Sequence, residues 1–469
     1  VWDSGFFQKR STAVTIDGED YGPAVVQYYY QSALNTAYYN SVMGSSTFDY
    51  NVDPAEQVYD EETGQTWRDY LLEQAIDDLT QVTVLVHAAE AEGYTLTQKD
   101  QAYLESELAT PDSTWRSSGS YDSLSSYLKL NYGSYMDEDT FQSLYADQVL
   151  ADSYRQHYQD SLTYTDEETE AYYNEHTNDL DTFGYTVFTV QATVEDQTDE
   201  EGNTVEMTDE EKTAALETAK ADALATAQAI QSRLTNGEDA QALADEYADA
   251  LYSSSIHTTA MGSTFSSAAY ADWLYDAARQ SGDITLAELD RSESSAYNYY
   301  VVQFDSRTRD DSATADVRHI LIGAASSGTT PTQEEFDAAE AEAQALLDQW
   351  KAGDATEDSF AALAVQNTDD SGSQSTGGLY SGISSTDSLE PNFLNWALDP
   401  ARQPGDTGIV KNESSSIQGW HIMYFVGWDD PAWEYTVKST WKESDTSEWL
   451  ASLTENVEAV HGSGLDLVS

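Results

Sequence analysis

An internal repeat limits the architecture of this chain more than any other feature of its sequence. The pattern W-x-x-D-x-A-R-Q-x-G-D occupies residues 273–283 and returns at residues 396–406, seven identities at an offset of 396 − 273 = 123. A second correspondence aligns the strand-like segments 185–190 and 317–322. Self-similarity at a fixed offset indicates repeated structural units. The sequence therefore predicts two related units, each with apolar strands at its ends and helices between them.

The segments before and after the repeat are expected to be helical. Trp67–Glu92 carries apolar residues at helical spacing, and Gly93 follows where a C-terminal cap is expected. Thr165 begins a capping box with Glu168. A last helix is predicted at about 444–460. We expect an α+β multidomain protein whose parts are a helical N-terminal region (1–178), a first unit (179–310), a second unit (311–430) and a C-terminal segment (431–469) that completes the helical region.

Composition excludes several classes of function. The 469 residues include 85 Asp and Glu but only 20 Lys and Arg, a formal net charge of −65. Binding to nucleic acid or to an anionic membrane requires clustered cations, so both are excluded as partners. The chain has no cysteine, which excludes disulfides and thiolate metal sites. Its 40% hydrophobic and 12% aromatic content is enough to build cores, which argues against disorder.

Two histidines are the first candidates for chemistry. Standard phosphate-binding, zinc-protease and serine-hydrolase motifs are absent, and acidic pairs are too common here to be informative. His319 and His421, in contrast, each lie inside an apolar strand-like segment of the second unit. Taken singly, each is better explained as an ordinary buried core residue.

The surrounding residues resemble the parvulin family of peptidyl-prolyl isomerases. The matching motifs occur in the family's order over residues 315–428. They are the "RHIL" strand (317–322), the "G-x-x-F-x-x-L-A" helix (353–364), the loop ending in Gly-Gly (369–379), the "F … G-D" helix and turn (393–406) and the "T-x-x-G-Y-H-I" strand, here with Ser416 and Trp420 (416–422). The resemblance implies an isomerase that needs no cofactor and no metal.

The resemblance also implies a set of site residues. His319 and His421 would form a histidine pair, with Asp370 near the substrate amide and Ser416 supporting the pair. Leu379, Leu389 and Phe393 would form the apolar pocket for proline. The sequence departs from the family pattern after Gly378, where the usual Asp-Leu-Gly is missing, and at Leu389, which replaces a common Met. These departures concern the geometry of the pocket.

The first unit provides an internal comparison. Under the sequence alignment, Val187 corresponds to His319, Ala250 to Asp370 and Asn298 to His421, while Tyr270 keeps the aromatic of Phe393. We therefore expect residues 179–310 to be a degenerate, inactive parvulin-like domain.

The layout of the whole chain resembles the PrsA- and SurA-type foldases. This implies an extracytoplasmic bacterial protein that acts on unfolded, proline-containing polypeptides, with a preference for basic ones expected from the charge. Val1–Arg10 is expected to be either the flank of a removed signal or anchor, or a flexible end. Two alternatives remain: a holdase that binds unfolded chains without catalysis, and an acidic adhesive surface protein, which explains the charge but not the ordered motifs.

Overall fold

The computed structural model describes residues 11–194, 197–198, 204–291 and 296–469. The segment Val1–Arg10 lies outside these residues. The described part is divided among a helical region and two α+β units. The predicted α+β multidomain class is confirmed. Within the described residues, no helix combines the length and apolar character needed to cross a membrane.

The N-terminal region is built mainly from helices. Its helices are α1 (Pro23–Val42), α2 (Trp67–Glu92), α3 (Gln98–Ser118), α4 (Leu124–Tyr132), α5 (Glu138–Ser161), α6 (Asp166–Glu175) and α7 (Thr177–Leu180). Its short strands are β1 (Val14–Ile16), β2 (Glu19–Tyr21), β3 (Val58–Asp60) and β4 (Gln65–Thr66). Helix α2 has the predicted bounds because the Thr66 side chain caps its start and Gly93, at φ 68°, ends it.

The first α+β unit is an antiparallel sheet with helices against it. Its strands are β5 (Thr182–Thr193), β8 (Ser253–Met261), β9 (Ile284–Arg291) and β10 (Ala296–Thr308), with a separate ribbon of β6 (Gln197–Thr198) and β7 (Thr204–Val205). Its helices are α8 (Asp209–Thr235), α9 (Ala240–Glu246) and α10 (Ala271–Tyr275). The sheet order is β8-β5-β10-β9.

The second unit repeats this arrangement. Its strands are β11 (Ala313–Gly323), β12 (Leu379–Ile383), β13 (Thr407–Asn412) and β14 (Gly419–Pro431), and its helices are α11 (Gln333–Ala352), α12 (Glu357–Asn367) and α13 (Pro391–Ala397). The sheet order is β12-β11-β14-β13, so the long first and last strands are central, as in the first unit. The sequence repeat is thus a repeat of topology.

The end of the chain returns to the helical region. Helix α14 (Ala432–Thr454) packs on α2 and α5, where the Trp449 and Tyr158 rings stack 3.8 Å apart. Strand β15 (Ala459–His461) then pairs with β1. The helix begins before the predicted residue 444, because Trp433 and Val437 are buried against the helical region, and it ends at Thr454 rather than near 460.

Candidate active site

The pairing of β11 with β14 brings the two histidines together. His319 lies opposite Met423, and Leu321 lies opposite His421. Directly paired residues share a face of an antiparallel sheet, and residues two apart along a strand also share it. His319 and His421 are therefore diagonal neighbours on one face, and their Nδ1 atoms are 3.0 Å apart. The other face carries Ile320, which packs toward α11 and α12.

A loop at residues 368–378 supplies oxygen atoms to His319. Asp370 Oδ2 lies 3.0 Å and Ser373 Oγ 3.2 Å from His319 Nε2. The Ser373 hydroxyl also donates to Asp370 Oδ2 at 2.6 Å. Asp370, Ser373 and the two histidines thus form one hydrogen-bonded chain.

The loop is held against β11 at both ends. Asp369 N donates to Leu321 O at 2.8 Å, and His319 N donates to Gly378 O at 2.9 Å. Gly378 has φ 73°, and a Cβ placed there would lie 2.0 Å from His319 O. Only glycine fits this position, since both the left-handed conformation and the close approach exclude a side chain.

The hydrogen bonds determine where the protons are. An ionised carboxylate only accepts, so His319 Nε2 donates to Asp370. When His319 is neutral, its Nδ1 accepts and His421 Nδ1 donates across the pair. This leaves His421 Nε2 as an unprotonated acceptor, and that buried atom has no hydrogen-bond partner among the described residues.

The electrostatics agree with these proton positions. The hydrogen bond from His319, aided by the Ser373 hydroxyl, holds the pKa of Asp370 well below its usual range. Burial, with the neighbouring His319, lowers the pKa of His421 to about 3. At neutral pH, Asp370 is an anion and His421 is neutral. The site is therefore unsuited to moving protons and suited to presenting a fixed field.

Tyr380 joins this group, although the sequence reasoning missed it. Its hydroxyl donates to Asp370 Oδ2 at 3.2 Å, and its ring centroid lies 5.1 Å from that of His319. Burial and the Asp370 charge raise the pKa of Tyr380 to about 12, so it remains a donor. Leu379, the predicted pocket residue, pairs with Arg318 in the sheet and thus takes the face opposite to His319. Successive side chains of a strand point to opposite faces, so Tyr380, and not Leu379, shares the face of His319.

Phe393 and Leu389 lie where the sequence predicted an apolar wall. The Phe393 ring centroid is 5.3 Å from the His319 ring and 5.2 Å from the His421 ring. Leu389 is half-buried in the same apolar cluster, which also contains the fully buried Met423. Aromatic and aliphatic groups therefore enclose one side of the histidine pair.

Ser416 is not brought to the histidines. Its side chain is exposed in the turn between β13 and β14, and its carbonyl accepts a bond from Gly328 N at 2.7 Å. The hydroxyl that contacts the pair belongs to Ser373 instead. The prediction placed the supporting hydroxyl on the strand that carries His421, whereas the loop after α12 provides it.

The first unit has a different register from the one that the sequence alignment gave. Gly405 N donates to Phe425 O, and Gly282 N donates to Phe304 O, both at 2.8 Å, so Phe304 corresponds to Phe425. Counting back along each strand, Tyr300 rather than Asn298 corresponds to His421. The Tyr270 and Tyr300 rings are 5.4 Å apart, much as Phe393 and His421 are.

The position of Asp370 is also corrected in the first unit. Tyr252 N donates to Thr189 O at 2.8 Å, as Asp369 N does to Leu321 O. Ser253, and not Ala250, therefore follows at the position of Asp370. Val187 stands opposite Val302, as His319 stands opposite Met423. The first unit thus has neither the histidine pair nor the carboxylate.

Comparisons with known proteins identify the family of the second unit. The family model for the PPIC-type PPIase domain matches residues 299–425, which confirms the parvulin resemblance. A peptidylprolyl isomerase (PrsA) from Bacillus anthracis is similar, with 20% identity, 30% of this chain and 59% of that chain covered, and a TM-score of 0.19. A foldase protein (PrsA) from Lactococcus lactis has 14% identity, with 78% and 97% covered and a TM-score of 0.21.

A search among curated proteins found no match. The family match includes His319, Asp370 and His421. The chain therefore carries, within residues 299–425, a domain of the PPIC-type peptidyl-prolyl isomerase family.

Proposed function

We propose that residues 311–430 catalyse cis/trans isomerisation of X–Pro bonds in exported polypeptides. The observation that carries this proposal is the hydrogen-bonded chain from half-buried Asp370 through the buried His319 to the buried His421, beside the Phe393 ring. The family match supports the reaction class. The arrangement of the whole chain supports a foldase. Because α14 packs on the helical region, residues 1–178 and 431–469 would together form one chaperone domain.

The reaction needs no covalent intermediate and no proton transfer. Rotation about an X–Pro bond has a barrier of about 18–20 kcal/mol and takes tens of seconds without a catalyst. In the twisted amide, resonance is lost, so the carbonyl oxygen carries less negative charge. A site that binds this state more tightly than the planar one lowers the barrier.

Each residue has a role in this mechanism. Phe393 and Leu389 hold the proline ring, with Met423 beneath it. The neutral histidine pair forms a rigid floor, since its hydrogen bonds fix both imidazoles. Asp370 disfavours charge on the substrate carbonyl and so favours the twisted amide.

Matched variants in the two units test the proposal. Phe393→Ala removes the proposed proline contact, while Tyr270→Ala makes a similar change in the first unit, which we propose to be inactive. We expect Phe393→Ala to lower kcat/KM for cis/trans exchange of a proline peptide at least about tenfold, roughly 1.4 kcal/mol, and Tyr270→Ala to leave it unchanged. Equal effects of the two variants would contradict the assignment.

A second candidate function is holding unfolded chains, and an exposed apolar surface near the end of α1 supports it. Eight of the exposed large hydrophobic residues that the structure describes fall within 38–59: Tyr38, Tyr39, Val42, Met43, Tyr50, Val52, Val58 and Tyr59. A cavity of about 650 Å³ adjoins them, lined by Trp67 and Tyr70 among others. Contiguous exposed apolar groups of this kind mark interaction sites.

The exposed Asp49, Asp53 and Glu56 in the same segment favour basic segments as clients of this surface, and salt should weaken their capture. Tyr38→Ser with Tyr39→Ser should reduce suppression of client aggregation without changing the rate of peptide exchange. Equal capture of basic and acidic clients at low salt would contradict the charge preference. An extracytoplasmic location, with an anchor outside these residues, completes the proposal.

A further inference from the structure

Helix α3 of the N-terminal region packs directly on α12 of the isomerase domain. Ala102 and Tyr103 meet Ala362 and Val365 in a small apolar cluster. Ala102 is 6% and Val365 0% exposed, so the contact is closed to solvent. Helix α12 leads into the loop that carries Asp370 and Ser373.

The same loop lies against α12. Gln374 Nε2 donates to Val365 O at 2.9 Å, and a Cβ at Gly377 would lie 2.7 Å from the Ala361 Cβ. Thr368 Oγ1 accepts from Leu321 N at 3.1 Å and from Asp370 N at 3.2 Å. Any shift of α12 would therefore move the loop.

Two cations bind successive carbonyls at the middle of this loop. Arg318, from the isomerase domain itself, donates to Thr376 O at 2.7 Å. Lys99, from α3, donates to Ser375 O at 3.4 Å. The sequence of the loop, Asp370-Ser-Gly-Ser-Gln-Ser-Thr-Gly-Gly378, is rich in glycine and serine. Such a segment has much backbone entropy to regain when a contact is lost.

Lys99 is itself held in place by a buried carboxylate. Its Nζ lies 2.6 Å from Asp100 Oδ1, and the Asp100 side chain is 8% exposed. Asp100 Oδ2 accepts from Ser153 Oγ and from Thr97 Oγ1, both at 2.6 Å. Burial raises the pKa of Asp100, but the bonds from Lys99, Ser153 and Thr97 lower it overall. A continuous polar path thus runs from α5 through Lys99 to the loop.

We propose that Lys99 is a positioning residue of the isomerase site. It fixes Ser375 so that Asp370 and Ser373, on the same short loop, keep their bonds to His319 Nε2. The docked N-terminal region is then part of the working enzyme, because the helical region supplies one of the restraints on the catalytic loop. This inference rests on the proposed isomerase function.

The test compares Lys99→Met with Lys129→Met in the full chain. Both remove one positive charge, but Lys129 is exposed on α4 and forms no hydrogen bond or ion pair with the described residues. We expect Lys99→Met to lower kcat for peptide exchange about fivefold, the net effect of one ordinary hydrogen bond, because the contact of 3.4 Å is long, with KM little changed. Lys129→Met should match the wild type, and Lys99→Arg, which keeps a donor, should restore most of the rate.

A second measurement does not depend on activity. The His319 Nε2–H proton, seen by NMR, should exchange with water faster in Lys99→Met, in a chain whose circular dichroism is unchanged. A wild type without isomerase activity would contradict the proposed function. The His319 Nε2–H resonance would still show whether Lys99 positions the loop. The inference would be overturned if Lys99→Met and Lys129→Met had the same kcat for peptide isomerisation and the same solvent exchange of the His319 Nε2–H proton. It would also be overturned if this proton exchanged faster in Lys99→Met while kcat stayed unchanged.

Discussion

His421 should remain neutral far into the acid range, and this can be tested directly. Its side chain is buried, with 6% of the residue exposed, and burial lowers its pKa from the usual 6.5 to about 3. At pH 5 an ordinary imidazole is about 97% protonated, whereas a group with a pKa of about 3 is about 1% protonated. The folded protein should therefore contain an uncharged His421 at a pH where the unfolded chain has a cation.

This difference costs stability as the pH falls. The folded pKa lies below the unfolded one, so the unfolded chain takes up the proton first. The contribution of neutral His421 to the free energy of unfolding is complete above about pH 7. It is lost progressively between about pH 6.5 and pH 3, and it changes no further below that. From pH 7 to pH 5 the loss is about 2 kcal/mol, at 1.36 kcal/mol for each unit.

The assay is an NMR titration of the His421 ring, with the same chain in denaturant as control. We expect the folded resonances to keep the neutral Nδ1–H form down to about pH 4. Urea unfolding should agree: His421→Asn should remove about 2 kcal/mol of the stability loss between pH 7 and pH 5. A folded His421 that titrates near 6.5, or a variant with the wild-type pH dependence, would refute the reasoning.

Two further predictions concern the loop and its neighbour. Gly378→Ala should cost at least about 2–3 kcal/mol of unfolding free energy, because it combines a positive φ with a clash on His319 O. Its control is Gly328→Ala, with a similar φ of 77° but open space, which should cost about 1 kcal/mol. Equal losses of unfolding free energy in denaturant melts would argue against the clash. Tyr380→Phe removes the hydroxyl that donates to Asp370, so the pKa of the Asp370 carboxyl should rise in a carbon-13 titration. The same variant should lower kcat/KM about fivefold. An unchanged pKa would mean that the hydroxyl does not act on Asp370.

The elements with strong apolar patterns could be predicted from the sequence. Helix α2 and the central strands β11 and β14 were found because buried faces require periodic apolar residues. The edge strands were missed: β12 begins within a Ser- and Gly-rich stretch that has little strand propensity of its own. Helix α3 continues through Pro111 to Ser118, although proline usually ends a helix.

The candidate site was predictable to the extent that it lies on central strands. His319 and His421 could be located because each interrupts an apolar strand. Tyr380 and Ser373 could not, since their placement depends on the register of an edge strand and on the path of a loop. Strand alternation would have favoured Tyr380 over Leu379 only if that register had been known.

We propose that the histidine pair of the second unit makes this chain a prolyl isomerase. The most direct measurement is the exchange rate between cis and trans forms of a proline peptide, by NMR, with wild type, His319→Ala and His421→Ala. We expect the wild type to shorten an uncatalysed exchange of tens of seconds, and each variant to lose most of this acceleration while remaining folded. Exchange rates that are the same in all three proteins would contradict it.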